Sequence, residues 1–229
     1  MKRLLAVFIC TTYLMMPMPG AGEKQYVALT FDDGPSGRYT QRLLDGLYDR
    51  GVHATFLLCG YRMRDYPELT QRIFDEGHEI GCHGFTHGNM QPMSRREVAA
   101  EIMDTEALLP EGCEFSFLRP PGGAVSDGVR QVAKARGLSI LSWSVDPRDW
   151  ATRDVTAIEH RVLEHVGDGD VILLHDMTAA SVQAALDIVD ALQEQRFEIV
   201  TVSELATRRE VKCRPGETYT CFPKKEGEP

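Results

Sequence analysis

Short apolar runs alternate along this chain with stretches whose apolar residues recur at helical spacing. Runs of strand length fall at Val27 to Phe31, Ala54 to Cys59, Glu79 to Cys82, Phe115 to Leu118, Ser139 to Val145, Val171 to Leu174 and Glu198 to Val202. Between them, Thr40 to Asp49 sets Leu43, Leu44 and Leu47 on one face, and Glu97 to Leu109 does the same with Val98, Ile102 and Leu109. Pro67 to Glu76, Asp127 to Ala135, Val155 to His165 and Ser181 to Gln195 read as further helices, and Gly51, Gly77 and Gly137 stand where helices end in a left-handed residue. Seven strands alternating with helices predict an α/β fold with a parallel sheet, closed or nearly closed as a barrel.

That layout orders the polar residues. In such barrels the chemistry sits on loops after the C-terminal ends of the strands. Asp32 and Asp33 lie at the end of the first run, His83 and His87 after the third, Arg119 after the fourth, Asp146 and Asp149 after the fifth, and His175 and Asp176 after the sixth, so all share one rim. Two adjacent carboxylates ending an apolar strand are expensive unless a cation or proton offsets them. His83 and His87, four residues apart in a glycine-rich turn, supply a cation site, with Asp33 as third ligand and Asp32 left free as a base. Two imidazoles and one carboxylate leave a position open for water, which makes zinc the default ion, while iron, cobalt and nickel fit the same ligands.

Composition narrows the setting. The 229 residues, 43% hydrophobic, suffice for one substantial core. Residues 1–22 read as a secretory signal peptide: Lys2 and Arg3, an apolar stretch from Leu4 to Met16, then Pro19-Gly20-Ala21-Gly22. The run is short of the roughly 20 residues a membrane span needs, so a secreted or cell-envelope protein with no stable span after cleavage is expected. Losing Lys2 and Arg3 would take the formal charge from -9 to -11, which with no Lys/Arg stripe argues against nucleic acid. Residues 23–205 form the expected catalytic domain. Residues 206–229 turn polar and read as an appendage in which Cys213 and Cys221 bracket a Pro-Gly turn suited to a small disulfide loop. With Cys59, Cys82 and Cys113 the count beyond the leader is odd, leaving a free thiol or an intermolecular bridge. Glu101, Asp104 and Glu106 read as a solvated helix face, Asp176 as a local cap outside the site, and His53, His78, His160 and His165 as structural or solvated.

Taken together, Thr30-Phe-Asp-Asp-Gly-Pro35, His83-x-x-x-His87, Arg119-Pro120-Pro121, Asp146-Pro-Arg-Asp149-Trp150 and Leu173-Leu-His175 resemble, in order, the five motifs of the polysaccharide deacetylases of the NodB-homology type, carbohydrate esterase family 4. The resemblance covers about Tyr26 to Leu205 and implies a distorted (β/α) barrel that removes acetyl groups from N-acetylated glycans. It implies Asp32 as base, with Arg119 holding it, and Asp33, His83 and His87 as metal ligands. His175 would be the acid, oriented by Asp146, with Asp149 supporting Arg119, while Trp150 and Leu173 wall the acetyl pocket. Two positions depart from the family: Gly84 where it has Ser or Thr, with Thr86 as a substitute hydroxyl, and Gly122 where it has an aromatic, leaving a backbone N–H for the oxyanion but a wider cleft. The alternatives are an O-acetyl esterase acting on xylan, a small-amide hydrolase of the same family, and a glycan-binding relative without catalysis.

Overall fold

The computed structural model describes residues 24–224. The leader expected over residues 1–22 lies outside the described residues. β1 (Gln25–Asp32), β2 (Thr55–Leu58), β3 (Glu79–Cys82), β4 (Phe117–Leu118), β5 (Ser139–Leu141), β6 (Val171–His175) and β7 (Phe197–Ile199) are the seven expected strands. All their pairings are parallel, and they curl into an incompletely closed barrel in the order β6-β1-β2-β3-β4-β5, with β7 against the start of β1. The helices are α1 (Arg38–Asp49), α2 (Gly60–Asp65), α3 (Pro67–Asp75), α4 (Arg95–Glu106), α5 (Asp127–Ala135), α6 (Val155–Leu163), α7 (Ala179–Glu194) and α8 (Val202–Arg208). Gly51, Gly77 and Gly137 end α1, α3 and α5 with φ of 62°, 80° and 78°, the conformation in which a residue without Cβ is unstrained.

Alternation along the strands decides which residues reach the cleft. Val27, Leu29 and Phe31 of β1 pack among the helices, whereas Ala28 belongs to the inner cluster with Leu57, Phe117, Leu141 and Val171. The same inward parity carries β1 to Thr30 and Asp32, β3 through Gly81 to His83, β4 through Phe117 to Arg119, and β6 through Val171 to Leu173 and His175. Interior space is tight: a Cβ at Gly81 would stand 2.5 Å from Leu57 Cδ1.

The C-terminal segment is not an appendage. α8 runs across the expected boundary at residue 205 and buries Val202, Leu205 and Ala206. β8 (Thr218–Tyr219) pairs in parallel with β5, and Cys221 bridges to Asp170 just before β6. The tail thus fills the seam between β5 and β6, which otherwise meet at the Val145–Ile172 bridge. Phe222 provides the reason: it is 1% exposed, joins the inner cluster and stacks on Tyr219 at 5.7 Å. One buried aromatic ring anchors a stretch whose average composition is polar. Cys213 and Cys221 are free thiols, as are Cys59, Cys82 and Cys113, so the anticipated disulfide loop is not formed.

Candidate active site

The strand ends deliver their inward side chains to one cleft of about 390 Å³, lined by Asp32, Asp33, His83, His87 and His175 together with Gly122, Trp143, Asp146, Trp150 and Leu173. Strict alternation would turn Asp33 away from Asp32. Instead Asp33 has φ 74°, a left-handed conformation that costs roughly 1–2 kcal/mol for a residue with a Cβ, and both carboxylates face the cleft.

Asp33 Oδ1 lies 3.3 Å from His83 Nε2 and 2.9 Å from His87 Nε2. One donor atom from each of the three residues falls within 4.8 Å of the others. His83 Nδ1–H donates to the Arg119 carbonyl at 2.6 Å, so in the neutral ring the Nε2 lone pair points at a carboxylate oxygen. Two acceptors facing each other need a cation between them, and a ligand imidazole whose second nitrogen is tied to a carbonyl is the usual metal-site arrangement. The donor set therefore fits a divalent ion. Where the imidazoles carry Nε2 protons in place of a cation, burial pushes the Asp33 carboxyl up, but the hydrogen bonds and charge of His83 and His87 outweigh it and hold the group well below the usual carboxylate range. The Asp33 hydrogen bond and charge raise His87.

Asp32 is buried beside this cluster, with Oδ2 3.8 Å from His83 Nε2. Its Oδ1 accepts from Arg119 Nη1 at 2.6 Å. Arg119 is fully buried and commits its other donors to Thr30 Oγ1 at 2.8 Å, the Ser142 carbonyl at 2.8 Å and the Leu141 carbonyl at 3.4 Å. A guanidinium fixed by strand carbonyls fixes the carboxylate in turn. Asp149, expected to support Arg119, does not contribute to this set.

Asp149 instead belongs to His175. Its carboxylate accepts from His175 Nδ1 at 2.8 Å and from the His175 backbone N–H at 2.9 Å, and it is fully buried. Asp146, expected in that role, accepts the backbone N–H of Arg148 at 2.8 Å and lines the cleft from the rim. The reason is the loop: Asp146 closes a turn over Arg148, which has φ 55°, and the chain then turns Asp149 inward at the start of a single 3-10 turn, Asp149–Ala151. Burial lowers His175, but the Asp149 hydrogen bond and charge, with Asp32 and Asp33 behind them, outweigh it and push the imidazole up to about 9. With Nδ1–H committed to Asp149, Nε2 is the nitrogen free to exchange a proton with the cleft.

Two residues set aside on sequence grounds hold the loops together. Glu101 of α4 accepts the backbone N–H groups of Phe85 and Thr86 at 2.6 and 2.8 Å on Oε2, and the Thr86 hydroxyl at 2.7 Å on Oε1. Its carboxylate is the clamp of the His83–His87 loop, and Thr86 contributes through it. Gly84 has φ 81°, and a Cβ there would stand 2.7 Å from Met90 Cε and 3.0 Å from Glu101 Oε2, so Gly84 makes room for the clamp. Asp176 is fully buried, accepts from the Thr40 hydroxyl on Oδ2, and its backbone carbonyl accepts from the Ser36 hydroxyl. It ties the loop after β6 to the one after β1, and burial pushes its carboxyl up to about 6.

Trp143 has a legible signal. Ser139, Leu141 and Trp143 share the inward parity of the β5 run, which puts the indole in the cleft. Glu101 has none, because a carboxylate that reaches across loops leaves no fixed spacing; Asp149 stands on the rim by sequence, but its partner does not follow from spacing.

A family model described as polysaccharide deacetylase matches residues 20–141. The chain is 38% identical over 184 residues to the peptidoglycan-N-acetylmuramic acid deacetylase PdaC of Bacillus subtilis, covering 80% of this chain and 39% of that protein. It is 36% identical over 201 residues to a peptidoglycan-N-acetylglucosamine deacetylase of Bacillus cereus, covering 85% of this chain and 93% of the relative. Among solved structures, a family 4 acetyl xylan esterase from Clostridium thermocellum in complex with a cobalt ion superposes with a TM-score of 0.80 at 32% identity, covering 87% of this chain and 100% of that one. The inward-facing aspartates and histidines are thus set on a shared scaffold, and the chain belongs to the polysaccharide deacetylase family.

Proposed function

We propose that this chain hydrolyses the N-acetyl group of an N-acetylated glycan of the peptidoglycan or chitin type, releasing acetate, with zinc held by Asp33, His83 and His87. A divalent ion supplies polarisation of the acyl carbonyl and acidification of water. Asp32, immobilised by Arg119 and outside the ligand set, takes the proton of the attacking water. Oxygen bonds to the acyl carbon, and the Gly122 N–H on the cleft wall is the backbone donor available to the developing oxyanion. The C–N bond then breaks as His175 Nε2 delivers a proton to the departing nitrogen, giving acetate and a free amine. Leu173 and Trp150 flank the methyl group of the acetyl.

The observation that carries this reading is the pairing of Asp32 with Arg119 on one side and His175 with Asp149 on the other. An amine leaves poorly unless protonated, and the Asp149 hydrogen bond and charge favour a proton on His175, which suits an amide substrate. The named activities of the relatives on peptidoglycan and the expected leader both suit an exported protein acting at the cell envelope. Among the described residues no helix is long and apolar enough to cross a membrane.

The test is acetate release from chitotetraose, peptidoglycan and acetylated xylan, measured on zinc-loaded, chelator-treated and zinc-restored protein. Release from an N-acetylated glycan that chelation abolishes and zinc restores is expected. Release from xylan alone would replace the amidase reading with the esterase one, and saturable glycan binding without acetate would replace both with a binding protein.

A further inference from the structure

Three buried side-chain atoms lack a hydrogen-bond partner among the described residues: Glu76 Oε2, Arg209 Nε and Asp176 Oδ1. Glu76 and Arg209 are held through their other atoms by Arg72 and Asp168. Asp176 is a different case. It is fully buried, and its carboxylate is met by the Thr40 hydroxyl and its own backbone N–H. Burying a carboxylate with so few donors costs stability, so stability does not account for its place in the fold. Its neighbours do.

β1 and β6 are neighbouring strands whose register ends on the Asp32–His175 pair. One residue further, Asp33 turns left-handed at φ 74°, and the link between the two chains passes to side chains. The Asp176 carboxylate lies directly on Gly34, where a Cβ would stand 2.7 Å from Oδ1 and 2.8 Å from Oδ2. Gly34 is fixed from elsewhere through its carbonyl, which accepts the Cys59 N–H beyond β2 at 3.1 Å. Thr40 Oγ1 accepts the Ser36 N–H at 2.7 Å, and the Ser36 hydroxyl donates to the Asp176 carbonyl, which closes a ring.

The two ends of this contact belong to different sides of the cleft. Gly34 follows Asp33, whose carboxylate faces His83 and His87. Asp176 follows His175, whose N–H and ring are gripped by Asp149. Burial pushes the Asp176 carboxyl up, Asp33 raises it further and His175 lowers it, so it stands within electrostatic reach of both. Glu101 supports the first side and Asp149 the second, whereas Asp176 meets the backbone of each.

We propose that Asp176 is a positioning residue common to both sides: packed on Gly34 and tied to Thr40, it fixes the separation between the Asp33 carboxylate and the His175 imidazole. The proposal rests on the deacetylase reading above for what those two groups do, while their placement does not depend on it.

The test uses the full chain and reads each side without relying on turnover. Zinc affinity by chelator competition and the visible spectrum of the cobalt-loaded protein report on the ligands, and the nitrogen NMR resonances of the His175 ring report on the acid. Asp176→Ala and Thr40→Val should each weaken zinc binding about tenfold, the scale of losing a partner that positions ligands. Both should also change the cobalt spectrum and shift the His175 resonances, with kcat on chitotetraose at saturating zinc about tenfold lower. Asp176→Asn and Thr40→Ser, which keep the acceptor oxygen and the hydroxyl, should restore most of each loss. Gly34→Ala forces a Cβ against the carboxylate, so it should act in the same direction in the parent and add little in the Asp176→Ala chain. Should Asp176→Ala fail to fold, Thr40→Val and Gly34→Ala carry the same comparison. A lowered melting temperature with zinc affinity, cobalt spectrum and His175 resonances all unmoved would overturn the proposal, as would movement of one side alone. Zinc binding without acetate release by the parent would remove the deacetylase reading and leave the positioning role to be decided by the binding and spectroscopic readouts.

Discussion

The metal-side loop after β3 and the acid-side loop after β6 are both anchored by a carboxylate from elsewhere in the chain, and the two anchors hold different things. Glu101 grips backbone: two N–H groups and a hydroxyl between His83 and His87, with no contact to either imidazole. Asp149 grips the imidazole of His175 itself as well as its N–H. The first arrangement sets where the two proposed ligands stand. The second sets which nitrogen carries the proton and how tightly. If Asp33, His83 and His87 hold the ion and His175 delivers the proton, as proposed, metal affinity and proton delivery are separable properties of this cleft, each with its own carboxylate.

The separation is tested most severely at Asp149. Asp149→Asn removes the charge that holds His175 protonated and allows the wrong tautomer, so kcat on an N-acetylated glycan should fall by about 10²–10⁴. Zinc affinity, measured by competition with a chelator, should stay at the parent value. A parallel loss of zinc would mean that the two sides are coupled and that Asp149 serves the ligands as well.

The next effect concerns the seam that backs the acid side. β8 receives the N–H groups of Ile140 and Ser142 on the carbonyls of Glu217 and Tyr219 at 2.8 and 2.7 Å. The Leu141 and Ser142 carbonyls in turn hold Arg119. Phe222→Ala should cost about 3 kcal/mol of unfolding free energy, read from denaturant midpoints. An unchanged midpoint would return the tail to the status of an appendage.

Legibility from sequence follows the same division. The seven strands and the cleft residues at inward positions were readable because strand parity and rim placement are local: Asp32, His83, Arg119, Leu173 and His175 follow from knowing where each strand ends. Asp33 was readable from its neighbour, although the left-handed φ that brings it round was not. The exchange of Asp146 and Asp149 shows the limit. Both stand in one short loop, and a 3-10 turn decides which faces inward. Glu101 looked solvated because its helix is charged on several sides, and only the fold brings the Phe85 and Thr86 amides to it. The tail misled for a related reason, since composition averages over a stretch while a single ring at Phe222 docks it.

Glu101→Ala should weaken zinc binding by about 10–100-fold, the usual consequence of losing a partner that positions ligands. Glu101→Gln, which keeps an acceptor oxygen, should recover part of that loss. Activity at saturating zinc should return close to the parent value in both variants. A kcat deficit persisting at saturating zinc would show that the clamp also shapes the acid side.

The smallest effect is the one that resolves the two sides most finely, because each should govern its own limb of the pH profile. On the metal side, His87 must lose its proton to ligate, and its contact with Asp33 raises the pH at which it does so; zinc affinity therefore falls as pH drops, setting the acidic limb. On the acid side, His175 must carry a proton to deliver one. It sits at about 9 without an ion in the cleft, and the positive charge of a bound ion lowers that value, so kcat/KM should decline as pH rises through a point below 9 in the loaded protein. Replacing Asp149 by Asn withdraws the principal partner holding the proton, and the residual activity should show its alkaline limb moved about one unit lower, toward the ordinary histidine value near 6.5. The acidic limb should stay in place. In Glu101→Ala at fixed, subsaturating zinc the pattern inverts, with the acidic limb moving to higher pH and the alkaline limb unmoved. If either variant shifted both limbs together, the two carboxylates would have to be treated as parts of one network.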